Sequence, residues 1–269
     1  MKLLVIVFLL AVLSTVTLTD AMATNGSRIE EKQDWGKYFE ASGVEGTFLF
    51  YDLKSDRYSG YNLKRLESAF VPASTYKIIN SLIALETGVI RDEDETLKWN
   101  GVDRGVKDWN RDHNLRSAFK YSAVWFYQEL ARRIGEQRMQ KHVDANRYGN
   151  QNIKGGIDHF WLDGELRITP RQQIDFLVRL YQNKLPFSQR NIDIVKDIFI
   201  LEKTDNYTLR GKTGWAMRYK PQIGWLVGYI EREGRSYFFA MNIDIKDPKD
   251  APSRIAITKK ILGEMKLID

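Results

Sequence analysis

Strand-forming sequence lies at both ends of this chain, and helix-forming sequence fills the middle. That distribution restricts the folds open to it. "EGTFLFYDLKSDRYSGYN" (45–62) reads as two strands around a polar turn. From about residue 206, "NYTLRGKTGWA", "QIGWLVGYIERE" and "RSYFFAMNIDI" read as three more strands, the last two joined by a Glu-Gly turn at 233–234. Residues 253–266 close the chain as a helix. In between, "SAFVPASTYKIINSLIALETG" (68–88) carries an apolar helix opened by Pro72 and ended at Gly88. "SAVWFYQELARRIG", "EQRMQKHVDANRYG" and "ITPRQQIDFLVRLYQN" read as further helices. The economical solution is an α+β fold: one antiparallel sheet built from both chain ends, flanked by terminal helices, with a mostly helical lobe inserted. At 269 residues and 43% hydrophobic, the chain can bury a proper core. A cleft between sheet and lobe is the natural place for a site.

The first residues, "MKLLVIVFLLAVLSTVTLTDAMAT", join one lysine, an apolar run and Ala21-Met22-Ala23. This predicts a signal peptide over 1–23, cut after Ala23, and a single exported domain over 24–269 with no stable membrane anchor. The absence of cysteine excludes thiol chemistry and thiolate metal sites. His113, His142 and His159 lack H-x-H or H-x-x-x-H spacing, so no metal site is expected. The net charge of +6 comes from bases interleaved with acids. No basic run with aromatics points to nucleic acid, whereas a mildly positive field suits a small anionic substrate.

Ser74 and Lys77 stand one helical turn apart at the start of an apolar segment. Lysine is rarely buried. Desolvation would drive Lys77 toward its neutral form, which can take a proton from Ser74 and activate it. The same S-x-x-K spacing recurs at Ser117 and Lys120, in a more polar stretch, where it reads as chance. Lys212-Thr213-Gly214 sits inside a strand, and Ser122-Ala123-Val124 heads a helix. A strand edge with a cation, a hydroxyl and a small residue can hold an extended acyl-amide bearing a carboxylate, Gly214 permitting close approach. S-x-x-K with K-T-G belongs to the penicillin-binding and serine β-lactamase set.

These motifs, with Tyr148-Gly149-Asn150, Phe160-Trp161-Leu162-Asp163-Gly164 and Arg254, make the chain resemble the class D serine β-lactamases, the oxacillinase group. "WNRDHNL", which includes Trp109, and "RYKPQIGW" are most similar to its carbapenem-hydrolysing branch. The resemblance implies the penicillin-binding/serine β-lactamase fold and a two-step acyl transfer that confers antibiotic resistance. Ser74 would be the nucleophile, and the amides of Ser74 and Trp215 the oxyanion hole. Lys77 would carry a CO₂ adduct, N6-carboxylysine, as general base; no other cofactor and no metal is implied. Trp161 would donate to that adduct, and Ser122 would relay a proton to the lactam nitrogen. Lys212, Thr213 and Arg254 would hold the substrate carboxylate. Val124 and Leu162 would form a dry lid; Trp109 and Arg218 would line the substrate. Tyr148-Gly149-Asn150 reads as a structural turn near the cleft. Nine residues, Trp215 to Ile223, would form a loop over the cleft mouth. The partners implied are small β-lactams, with a homodimer left open and the periplasm of a Gram-negative bacterium as location. The competing readings are a peptidoglycan transpeptidase or carboxypeptidase, and a β-lactam sensor that stays acylated.

Overall fold

Residues that alternate along a strand point to opposite faces, so a sheet covered on both sides needs apolar residues at every position. The long strands of this chain meet that condition. The computed structural model describes residues 28–269, so the expected signal segment, 1–23, lies outside the described residues. Its elements run β1 (Ile29–Glu31), α1 (Gly36–Ala41), β2 (Gly46–Asp52), β3 (Arg57–Tyr61), α2 (Leu63–Leu66), α3 (Lys77–Glu86), α4 (Leu115–Lys120), α5 (Val124–Ile134), α6 (Glu136–Ala145), α7 (Pro170–Tyr181), α8 (Gln189–Ile198), β4 (Ile200–Lys203), β5 (Tyr207–Ala216), β6 (Gln222–Arg232), β7 (Arg235–Ile245) and α9 (Ser253–Glu264). The strands form one seven-stranded sheet in the order β1-β3-β2-β7-β6-β5-β4. β2 pairs with β7, so the two ends of the chain do meet in one sheet. All pairings are antiparallel except the outermost, where β1 runs parallel to β3.

On one face, Phe48, Phe50, Phe239 and Met241 pack with Trp35, Phe39, Ile257 and Ile261 of the N- and C-terminal helical segments. Leu49, Tyr51, Phe238 and Ala240 alternate with them and join the core of the helical lobe on the other face. Burying each such side chain stabilises the fold by about 1.5–3 kcal/mol. Glu233 and Gly234 both take left-handed φ, 52° and 70°, which gives the β6–β7 hairpin a turn whose twist matches the strands. α7 begins with Pro170 behind a reciprocal Thr169–Gln172 capping box, which fixes its start.

Two expectations are corrected. Pro72 does not open an α-helix: residues Ala73–Tyr76 form a 3-10 turn, and α3 starts only at Lys77. The β5–β6 ladder continues past Gly214 to Trp215↔Gly224 and Ala216↔Ile223, so the connector is residues 217–221 rather than nine residues. The ladder ends where the strand segments read from the sequence end and resume, at Ala216 and Gln222, and not at the bounds of the nine-residue loop.

Candidate active site

The turn before α3 is held in a shape the chain would not adopt alone. Ala73 has φ +48°, a left-handed conformation costing about 1–2 kcal/mol for a residue with a Cβ. Its neighbours fix it: Thr75 Oγ1 donates to the Pro72 carbonyl (2.8 Å), Gln173 Nε2 donates to Thr75 Oγ1 (2.8 Å), and Trp225 Nε1 donates to the Val71 carbonyl (3.0 Å). β5 passes directly against this turn. A Cβ on Gly214 would sit 2.9 Å from the Pro72 oxygen. The close approach that Gly214 permits is therefore that of the protein's own turn, a reason different from the one expected.

The result places Ser74 beside Lys77 with Oγ and Nζ 2.6 Å apart. Lys77 is fully buried and also reaches the carbonyl and the hydroxyl of Ser122, each at 3.2 Å. Lys212 Nζ approaches the same Ser122 hydroxyl at 3.1 Å and donates to the Thr213 carbonyl. Burial, followed by the charge of Lys212, pushes the Lys77 amine well below its ordinary range. Burial and Arg254 bring Lys212 down to about 7. Among the described residues none of Lys77, Lys212 and Arg254 is ion-paired. A hydroxyl bonded to an amine whose basicity is lowered by burial is the arrangement a serine nucleophile needs.

Three features face an incoming acyl compound. Gly211 N–H bonds the Phe199 carbonyl on the β4 side of β5. By strand alternation the N–H groups of Thr213 and Trp215 point the same way. β4 pairs only with the residues up to Arg210, so that edge is open beside Ser74. Arg254 lies with its guanidinium carbon 5.8 Å from the Trp215 ring centre, and its buried Nε and Nη1 have no partner. Burial lowers it to about 10. Free donors on a guanidinium fork can receive a carboxylate, so the side chain is not an ordinary solvated arginine. Trp161 is fully buried and stacks on Tyr76 at 5.3 Å, and its indole N–H has no acceptor.

The remaining expected residues fall nearby. Val124 heads α5, two residues after Ser122, and is half-buried; Leu162 is half-buried against the lobe core. Trp109 is half-buried and donates its indole N–H to the Tyr121 carbonyl at 2.9 Å. Arg218 is turned to the Asp163 carboxylate, and Tyr219 donates to the Gly164 carbonyl, so the short connector is tied to the 160–164 segment. Tyr148-Gly149-Asn150 is a structural turn. Gly149 has φ +56° and Arg167 O would lie 2.2 Å from its Cβ, while Asn150 brackets the Glu165 carbonyl and the Arg167 amide. Asp163 as the partner of Arg218, and the Phe119 and Tyr127 rings under Lys212 and Lys77, escaped sequence reasoning. Nothing in spacing marks them; each joins elements distant in the chain. Among the described residues no cluster of acidic and histidine side chains could hold a metal ion.

The family model of the penicillin-binding protein transpeptidase domain matches residues 20–263. The β-lactamase OXA-48 of Klebsiella pneumoniae is 46% identical, over 89% of this chain and 90% of that one. The crystal structure of the class D β-lactamase YbXI from Nostoc superposes with a TM-score of 0.86 at 49% identity, covering 88% of this chain and all of the other. FUS-1 (OXA-85), a class D β-lactamase of Fusobacterium nucleatum subsp. polymorphum, gives 0.87 at 43% identity, covering 89% of this chain and all of the other. With a serine, two buried lysines and an open strand edge brought together, and with these relatives, the chain belongs to the class D serine β-lactamases, hydrolases of β-lactams.

Proposed function

We propose that hydrolysis runs through an acyl-enzyme on Ser74 with Lys77, in its carboxylated form, as the base. The observation that carries this reading is the 2.6 Å contact between Ser74 Oγ and a fully buried, unpaired Lys77. CO₂ adds only to a neutral amine, and burial favours that form of Lys77. The surroundings fit the adduct: the Ser74 and Ser122 hydroxyls and Lys212 converge there, and the buried indole N–H of Trp161 lacks an acceptor. Carboxylated, Lys77 would present an anionic oxygen as the base in place of the amine nitrogen.

The chain's own groups do the rest. Ser74 attacks the lactam carbonyl, whose developing charge is met by the Ser74 and Trp215 N–H groups. Ser122, joined to both lysines, passes a proton to the departing lactam nitrogen. Lys212, Thr213 and Arg254 hold the substrate carboxylate, with the free donors of Arg254 forming the fork. Val124 and Leu162 limit water at the base, and Trp109 walls the mouth. Penicillins and oxacillin are turned over efficiently and imipenem slowly. Bulky oxyimino-cephalosporins are poor substrates, because the connector bound to Asp163 through Arg218 leaves them little room. The 1–23 segment directs the chain to the periplasm.

Turnover of a chromogenic cephalosporin, with peptide mapping after a penicillin quench, tests the mechanism. Continuous turnover with the adduct on Ser74 is expected, together with loss of activity when CO₂ is stripped at mildly acidic pH and recovery on adding bicarbonate. A single burst would make the chain a sensor or transpeptidase. Kinetics indifferent to bicarbonate would leave a plain amine as the base.

A further inference from the structure

His113 is buried to 1% exposure and takes no part in the chemistry described above. Its backbone is fixed independently of its ring, by paired bonds with Leu97: Leu97 N–H to the His113 carbonyl at 2.8 Å and His113 N–H to the Leu97 carbonyl at 3.2 Å. The ring then reaches two places. Nε2 lies 2.8 Å from the Asp108 carbonyl, and Nδ1 lies 2.9 Å from Ser117 Oγ. A carbonyl can only accept, so Nε2 carries the proton and Nδ1 accepts from the Ser117 hydroxyl. Burial lowers the basicity of His113, which agrees with this neutral tautomer.

Both contacts lead to Ser122. Asp108 is the middle of the 3-10 turn Lys107–Trp109. Trp125 Nε1 donates to the Trp109 carbonyl at 2.7 Å, and Trp109 Nε1 donates to the Tyr121 carbonyl at 2.9 Å, immediately before Ser122. Ser117 belongs to the Asn114 capping box that starts α4, whose C-terminal end is Tyr121. Ser122 itself has φ +57°, an unfavourable conformation for serine that surrounding contacts must impose.

We infer that His113 is a positioning residue: it hangs the Trp109 turn from the Leu97 bridge and so aims the strained Ser122 at the lactam nitrogen. This rests on the role proposed for Ser122. It assigns a purpose to the second S-x-x-K serine, which is the partner of His113 and not a nucleophile. Because proton delivery to the lactam nitrogen belongs to acylation alone, loss of the support should slow acylation and spare deacylation.

The test is pre-steady-state kinetics with a saturating penicillin, following the Ser74 adduct by quench and mass spectrometry in the full mature chain. His113→Phe keeps an aromatic ring, slightly larger, and removes both bonds; acylation should slow about tenfold or more, the scale of a small misplacement of a reacting group. Deacylation should change by less than about twofold. His113→Gln restores a donor at the Nε2 position and should recover acylation to within about threefold of the parent. Equal slowing of both steps, or no slowing, overturns the inference. Should His113→Phe fail to fold, Trp125→Phe deletes the indole N–H on the Trp109 carbonyl and must show the same acylation-only loss, or the inference fails. Absence of any Ser74 adduct in the parent chain would instead overturn the mechanism of the preceding section.

Discussion

The chain carries the same four-residue spacing twice, and the two copies have opposite fates. Half-buried Ser74 and fully buried Lys77 are joined at 2.6 Å, with a second lysine sharing Ser122 and, among the described residues, no acid paired with either lysine. Ser117 is spent on the α4 capping box and on His113, while Lys120 is exposed, its Nζ 5.4 Å from the Tyr121 ring centre. Spacing places two side chains on one helix face. Only desolvation makes the amine a base, and only a strained turn packed against β5 puts the hydroxyl at an open strand edge.

That contrast can be broken most decisively by removing each copy. Ser74→Ala should lower penicillin turnover by about 10⁴-fold or more. Lys120→Ala should stay within about twofold of the parent, as expected for an exposed side chain. Comparable losses in steady-state kinetics would erase the distinction. Trp161→Phe sharpens the role of the buried pocket: it keeps an aromatic ring beside Tyr76 and removes the unpartnered N–H together with part of the indole volume. Deacylation should slow about 10–100-fold, the cost of losing a second group that holds the base, and should become more dependent on bicarbonate. Equal slowing of acylation would argue for a packing role alone.

The desolvation itself can be read from stability. The folded pKa of Lys212, about 7, lies below the ordinary lysine value of about 10.4. Between those limits the unfolded chain holds more protons, so this group adds stability as pH rises through that window and adds none below pH 7. The slope approaches about 1.4 kcal/mol per pH unit for one proton. Urea unfolding at pH 7 and pH 9 should show the parent gaining about 2 kcal/mol more than Lys212→Met; equal gains would mean that the amine is solvated. The smallest effect concerns the connector. Arg218 is largely exposed and its pair with Asp163 is worth about 0–1 kcal/mol, so Arg218→Ala should shift the imipenem-to-oxacillin ratio of kcat/KM by at most about fivefold. A larger shift would make that ion pair a principal determinant of substrate scope.

The sequence by itself determined the long strands and amphipathic helices, because their periodicity is a local consequence of which faces must be buried. It also marked Ser74, Lys77, Ser122 and Lys212, because those residue types in strand and helix contexts carry chemistry that their neighbours do not explain. It did not reveal β1, with its parallel pairing, or β4. Both are short edge strands of three and four residues whose existence depends on a partner rather than on their own pattern. The same holds for the 3-10 turn under Ser74, set by Thr75, Gln173 and Trp225. Gly214 is the plainest case. Its identity was legible and its reason was not, because the atom it makes room for, the Pro72 oxygen, lies 142 positions back along the chain and reaches it only through the tertiary fold.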